Sequence, residues 1–397
     1  MKPVSILDIG SSKVVCLMGS RAARGGTVVH GTGVAAYSGY ADGAFFDEKE
    51  LEQAIVSAVK EAEVMSRRRI REVALSVPAP FSRLVLATGS LRFVDEVRIT
   101  PEHTDELIDL SLEHVQVPGY RLMHSTPVVY TLDGYETAEK PEGKRAGSIS
   151  AKVSHLYVKN EYIALIARIL RGLSIEVTMS VSTPLSVSML LIPEEERIRP
   201  AVLIDVGYLH TDVSLAENNA ITNMTSIDMG GAQFASDLSF GLDIPFPDAE
   251  QVKRKYSFLV DDSDDDVVVV YMPQGAKRVR REVIELIMTA RAEEFAGLIR
   301  DALERMGIRP EQQPVCYLTG GGFSMMRGGA EFLRSELGMR VRRDRPFLPT
   351  MDTPNYASAF GTLEFVLREL HGDEEEPVRE TKEKQGIIKQ VRKIFNK

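Results

Sequence analysis

Apolar runs separated by short polar turns open this chain. Ile6-Leu7 and Val14-Val15-Cys16-Leu17 flank a turn holding an acid, a glycine, two hydroxyls and a lysine (Asp8, Gly10, Ser11, Ser12, Lys13), which is the pattern of a β-hairpin with a polar tip. The pattern returns as Val202-Leu203-Ile204-Asp205-Val206-Gly207, then Tyr208, Leu209 and His210, then Thr211-Asp212-Val213-Ser214-Leu215. An internal echo of this kind predicts two related halves facing each other across a cleft. Between the two hairpins, strand patterning covers 28–36, a glycine-bearing turn 39–43, and Leu51, Ala54, Ile55, Ala58, Val59 and Ala62 mark one face of a helix. A strand over 73–77 stops at Pro78 and Pro80, completing a β-β-β-α-β unit.

Residues 82–160 change character: strands over 84–86 and 90–94, a helix opened by Thr100-Pro101-Glu102, a strand over 127–132, a polar loop, and a strand over 150–158. This reads as a compact α+β insert. A helix over 163–173, a strand over 176–182 and a helix over 185–191 return to the main body. After the second hairpin come a helix over 233–240, a helical stretch from Pro247 to Ser257, a strand over 267–271 and one long amphipathic helix closed near Gly307. A buried-type strand over 315–319 then runs into Gly320-Gly321-Gly322, and a strand over 339–341 and a helix over 354–367 close the folded part. The acidic run 261–266 lacks the glycine and terminal glutamate of a calcium loop and reads as a solvated turn.

With 397 residues the chain is long enough for two or more domains, and 44% hydrophobic with 26% charged residues is a globular balance. A net charge of −9 speaks against nucleic acid as the main partner. Cys16 and Cys316 sit inside apolar runs, as core thiols of a reducing compartment would, and form no metal site. The first strand begins almost at once and no apolar run is long enough to span a bilayer, so a cytoplasmic protein is expected.

Phosphates need several backbone N–H groups aimed at one point, and glycine lets the backbone come that close. Three glycine turns, two of them carrying an aspartate, therefore suit a nucleotide gripped from two domains. Asp8 and Asp205 would converge on a hydrated Mg²⁺, which is usually held by one or two carboxylates plus substrate phosphates. Glu250, Lys253 and Ser257 fall at helical spacing on one face and can reach one ligand together.

These residues resemble a family. Asp8-Ile9-Gly10-Ser11-Ser12-Lys13, Asp205-Val206-Gly207 with Thr211-Asp212, and Leu318-Thr319-Gly320-Gly321-Gly322 look like the two phosphate motifs and the adenosine motif of the actin-like ATPase superfamily. Ser12-Lys13-Val14-Val15 and the insert, with Pro127-Val128-Val129-Tyr130, Leu132-Asp133-Gly134 and Pro141-Glu142-Gly143, are similar to the bacterial cell-division protein FtsA. The resemblance implies an α/β, actin-like (ribonuclease H-like) fold, two lobes around a nucleotide cleft, with an FtsA-type 1C insert. Its subdomains would be 1A at 1–81 and 161–198, 1C at 82–160, 2A at 199–233 and 301–345, 2B at 234–300, and a return helix to 1A at 346–371.

The resemblance also implies ATP and Mg²⁺ as cofactors and a slow ATPase at most, with Asp8, Asp205 and Asp212 acting through magnesium and ordered water. Asp8 and Asp205 would hold the metal. Gly10, Ser11, Ser12, Lys13, Gly207, Tyr208 and Leu209 would line the phosphates, with Gly230 and Gly231 near ribose and phosphates. Glu250, Lys253, Arg254 and Ser257, with Gly320, Gly321, Gly322 and Phe323, would hold the adenosine. Tyr208, Leu209 and His210 replace two glycines and a threonine of the family's second motif; their side chains restrict a phosphate-cradling turn, so weaker binding and slower hydrolysis are expected. His210 reads as a rim residue.

The stretch 372–384 is a charged tether with a reach on the order of 20 Å. In 385–397, Ile387, Ile388, Val391, Ile394 and Phe395 form one apolar stripe opposite Lys389, Arg392 and Lys393, the composition of a helix lying on an anionic membrane. The family resemblance implies a protein that polymerises on the inner membrane face at the division site and tethers FtsZ, with FtsZ, other divisome proteins, its own copies and anionic lipids as partners and no nucleic acid. The alternatives within the fold are a PilM-like pilus-assembly adaptor and a small-molecule kinase.

Overall fold

A computed structural model describes residues 2–22, 26–41, 43–259, 266–273, 275–346 and 351–371. The acidic run 261–265, the tether 372–384 and the stripe 385–397, with Ile387, Ile388, Lys389, Val391, Arg392, Lys393, Ile394 and Phe395, lie outside the described residues.

Two five-stranded sheets share one topology. In the first, Thr27–Ala36, Lys13–Arg21 and Val4–Ile9 form an antiparallel meander, and Glu72–Val77 and Glu176–Ser182 extend it in parallel. In the second, Ala220–Ile227, Thr211–Glu217 and Ala201–Val206 repeat the meander, and Val315–Thr319 and Arg340–Arg343 repeat the parallel extension. The central strands are buried on both faces, so they read as unbroken apolar runs. Each strand of a parallel pair must be reached by a crossover, which places helices on the sheet faces.

The helix Glu48–Ser66 covers one face of the first sheet with Leu51, Ile55 and Ala58. Asp47 caps it, accepting from the N–H groups of Lys49 at 3.1 Å and Glu50 at 3.0 Å. The helix Ala357–His371 covers the other face with Phe360, Leu363 and Leu367. It begins beside the C-terminal end of Val4–Ile9 and runs toward the far end of the sheet, where Glu364 pairs with Arg21 at 2.9 Å. Between the sheets lies Thr183–Leu191, whose buried positions are not confined to one face; Leu185 and Val187 pack in one cluster with Leu203 and Tyr317 of the second sheet.

The insert is one four-stranded sheet, Ser82–Arg98, Arg145–Lys159, Tyr120–Leu132 and Tyr135–Thr137 in spatial order. The two strands expected over 84–86 and 90–94 are a single strand. Gly89, which reads as an interruption, is where the backbone of Pro101–Leu112 crosses: a Cβ there would lie 1.9 Å from the Leu107 carbonyl oxygen. The edge strand Ala220–Ile227 and the hairpin strand Gly275–Arg280 carry mixed polar patterns and were not expected from sequence. The helix Arg281–Arg305 packs Met288, Phe295 and Ile299 against the second sheet's other helices. Among the described residues no helix is long and apolar enough to cross a membrane.

Candidate functional site

Each meander carries an aspartate one residue before the end of its first strand, and both ends open on one cavity of ≈ 420 Å³. Such a volume lies within the usual range for small-molecule sites. Asp8, Gly10, Ser11, Ser12 and Lys13 line it from the first sheet; Asp205, Gly207, Tyr208, His210 and Asp212 from the second. Glu250, Lys253 and Arg254 on the helix Phe246–Lys255 and the turn Gly320, Gly321 and Gly322 complete the wall. The two halves touch directly: the Leu209 N–H donates to Ser11 Oγ at 3.2 Å.

The turns are tied from within. The Gly10 N–H donates to the Lys13 carbonyl at 2.9 Å, and Tyr37 donates its hydroxyl to the Gly10 carbonyl at 2.5 Å. No described acceptor takes the N–H groups of Ser11 or Ser12, so both are available to an anion. The second turn closes in the same way, Gly207 N–H to His210 carbonyl at 2.9 Å. The helix Gly231–Leu242, however, spends its first N–H groups on the Gly207 and Tyr208 carbonyls, at 3.0 and 2.8 Å. Gly230 and Gly231 thus sit behind the turn, supporting it rather than lining the cavity. Gly320 adopts φ +86, and a Cβ there would lie 2.3 Å from the Val206 carbonyl and 2.4 Å from Asp205 Oδ1, so only glycine closes this corner.

Burial sets the electrostatics. It raises the Asp8 carboxyl above the usual range, opposed by hydroxyl donors Ser358 and Ser76, each at 2.6 Å, and by the Lys13 charge. Burial, with the Asp212 and Asp8 carboxylates adding, pushes Asp205 up to about 7. Asp212 is also raised by burial, against His210 and donors Ser226 at 2.7 Å and the Ala79 N–H at 3.4 Å. Three carboxyl groups under this strain are relieved by a cation. Among the described residues no three His, Cys, Asp or Glu side chains gather tightly enough to hold a metal alone. The donors Asp8 and Asp205 are oxygen only, which suits a hard ion that keeps most of its waters.

The Lys13 ammonium is held by the segment before the last helix. It donates to the Asn355 carbonyl at 2.9 Å and lies 4.3 Å from the centre of the Tyr356 ring, and burial lowers its pKa. Lys253, 3% exposed, pairs with Glu250 at 2.7 Å and donates to the Gly231 carbonyl at 3.0 Å. It thereby fastens its helix to the second turn, while Arg254 pairs with Glu250 at 3.0 Å from the exposed side.

Besides Gly230 and Gly231, three expected contacts are corrected: Leu209 is absent from the cavity wall and packs against the core of the first sheet, and two more lie elsewhere. Phe323 is fully buried among Phe234, Phe258 and Phe295, because the chain turns inward after Gly322; it belongs to the core. Ser257 pairs its backbone with Arg327 and accepts the Leu259 N–H at 3.2 Å, beyond the last turn of Phe246–Lys255, so it caps a loop away from the cavity. Conversely, Ser76, Thr183, Asn355 and Ser358 approach the site from distant sequence. Asn355 Oδ1 is buried without a donor among the described residues, leaving an acceptor beside the glycine turn. No motif singles these residues out; only Pro354, opening the short 3-10 turn before the last helix, marks the neighbourhood.

The model of the family "Cell division protein FtsA" matches residues 202–361. Cell division protein FtsA of Neisseria meningitidis serogroup B is 24% identical over 383 residues, covering 94% of this chain and 92% of the relative. That of Pseudomonas aeruginosa is 25% identical over 372 residues, 91% and 88%. Among solved structures, the PilM-PilN type IV pilus biogenesis complex superposes with a TM-score of 0.61 at 19% identity, covering 92% of this chain and 98% of the other. MreB5 of Spiroplasma citri bound to ADP superposes with a TM-score of 0.56 at 12% identity, covering 94% and 99%. These structural likenesses establish the fold alone. In sequence the chain is thus similar to cell division protein FtsA, and its fold is the actin-like one.

Proposed function

We propose that this chain binds ATP with Mg²⁺ in the cavity between its two sheets, assembles into actin-like filaments on the cytoplasmic membrane face, and tethers FtsZ there during division. The observation that carries the nucleotide half is the meeting of both strand-end aspartates and the Gly320 turn on one cavity. Ser11 and Ser12 offer N–H groups to phosphate, Glu250, Lys253 and Arg254 face the nucleoside end, and Asp8 and Asp205 hold the metal. Mg²⁺ would supply charge neutralisation between these carboxylates and the phosphates. Asp212 orders water at a turn stiffened by Tyr208 and Leu209, so hydrolysis is slow.

The division half rests on the resemblance to FtsA, whose curated relatives match over nine-tenths of the chain. The membrane half rests on the apolar stripe and basic face of 385–397. One such helix holds weakly, and a filament multiplies it through effective concentration. Calorimetry with ATP and Mg²⁺ should give measurable uptake at or below millimolar nucleotide, and no uptake would overturn the nucleotide reading. Electron microscopy on lipid monolayers with ATP should give filaments for the full chain and none for a chain ending at Gly386. Equal filament density for both would remove the tail from the account.

A further inference from the structure

The turn that ends the helix Glu48–Ser66 places Arg67, Arg68, Arg69 and Arg71 together, all exposed, on a protein of net charge −9. Beside them Val64 is 72% and Met65 59% exposed, an unusual pairing of apolar and basic side chains at one helix end. Arg69 pairs with Glu63 at 2.8 Å; Arg67, Arg68 and Arg71 make no ion pair with the described residues. The turn is rigid. Ile70 is buried, its N–H donates to Glu63 Oε1 at 2.7 Å, and the Arg68 N–H closes on the Glu63 carbonyl at 3.3 Å.

Arg67 adopts φ 55, the left-handed conformation that glycine takes at lower cost in helix C-caps. Six other non-glycine residues among the described ones also take a positive φ, so the conformation by itself names no use. The position of the turn names the use. It precedes Glu72–Val77 at the end of the first sheet away from the cavity: Lys2, just before Val4–Ile9, reaches Glu72 at 3.4 Å, and the Arg71 carbonyl accepts the Glu176 N–H at 2.8 Å. The helix Ala357–His371 runs toward that same end, and the 385–397 stripe that follows it in sequence is itself apolar and basic.

We infer that the 64–71 turn is a second contact for an anionic lipid surface, with Arg67, Arg68 and Arg71 facing headgroups and Val64 and Met65 entering the interface. This rests on the membrane reading above. The body of the protein is then oriented with its cavity away from the bilayer. Basic side chains near an anionic surface add up, and exposed apolar ones partition into its boundary.

The test is co-sedimentation of the full chain with phosphatidylcholine vesicles, with and without about one-third phosphatidylglycerol. Arg67→Glu/Arg68→Glu/Arg71→Glu should weaken binding to the anionic vesicles roughly tenfold or more, and the corresponding triple lysine variant should keep it. Arg67→Gly should raise the unfolding temperature by relieving the left-handed residue, yet bind anionic vesicles severalfold more weakly; a merely structural turn would not move in opposite directions. A wild-type chain that pellets, with a triple glutamate variant that pellets equally, overturns the inference alone. A wild-type chain that does not pellet overturns the membrane reading with it. A triple glutamate variant that keeps its lipid binding but loses binding to a polyglutamate peptide assigns the turn to an acidic protein and overturns the lipid contact.

Discussion

Asp205 shows what a buried, clustered carboxyl costs its own fold. Its carboxyl ionises near 7 in the folded protein against an ordinary value near 4 unfolded, so the folded state binds the extra proton. Its contribution to stability is therefore fully present below about pH 4 and is lost as the pH rises through about 7. Asp8 and Asp212 are shifted the same way and add to the trend. The ligand-free protein should melt at higher temperature at pH 5 than at pH 8. Asp205→Asn should flatten that dependence and stabilise the protein at pH 8 by roughly 1–3 kcal/mol, while removing Mg²⁺-dependent ATP uptake. Thermal melts across pH, paired with calorimetry, read both; an asparagine variant no more stable than wild type at pH 8 would contradict the strain.

At the scale of elements, the close crossings determine which helices can sit where. The helix Pro101–Leu112 lies on the insert sheet only because Gly89 leaves room for the Leu107 carbonyl. Gly89→Ala should push that helix away and cost about 1–3 kcal/mol. Hydrogen exchange should then accelerate in Pro101–Leu112 and the Ser82–Arg98 strand, with ATP uptake unchanged because the cavity lies in other sheets. The Gly207–His210 turn is an element of the opposite kind, over-determined by its support: the first N–H groups of Gly231–Leu242 and the buried Lys253 all bond to it or to the helix start. Burial lowers the Lys253 pKa, and its pairing with Glu250 opposes the shift.

For the whole molecule, the cavity lies between two lobes whose contacts include the Thr183–Leu191 cluster, the Ser11–Leu209 bond and the Ala79–Asp212 bond. A ligand that binds only the folded pair stabilises it by about 2.7 kcal/mol at a hundredfold excess over its dissociation constant. ATP with Mg²⁺ should therefore raise the melting temperature in a concentration-dependent way, and Ser11→Ala should reduce that increment by weakening the bridge; a shift independent of ATP concentration would point to a nonspecific ion effect. Much of this architecture is carried by local pattern. The paired hairpins, the helix from Leu51 to Ala62, the three glycine turns and the strand ends at Asp8 and Asp205 follow from apolar periodicity and from turn chemistry, which act over a few neighbouring residues. What local pattern did not carry is what depends on packing between distant segments. Gly89 reads as a break until a helix is laid across it, Phe323 reads as a ligand contact until three phenylalanines enclose it, and edge strands such as Gly275–Arg280, half solvated, have no apolar alternation to betray them. Ser76 reaches the site because Glu72–Val77 pairs in parallel with Val4–Ile9, Asn355 and Ser358 because the last helix folds back against the first sheet, and the shared burial that pushes Asp205 up exists only once both lobes are in place.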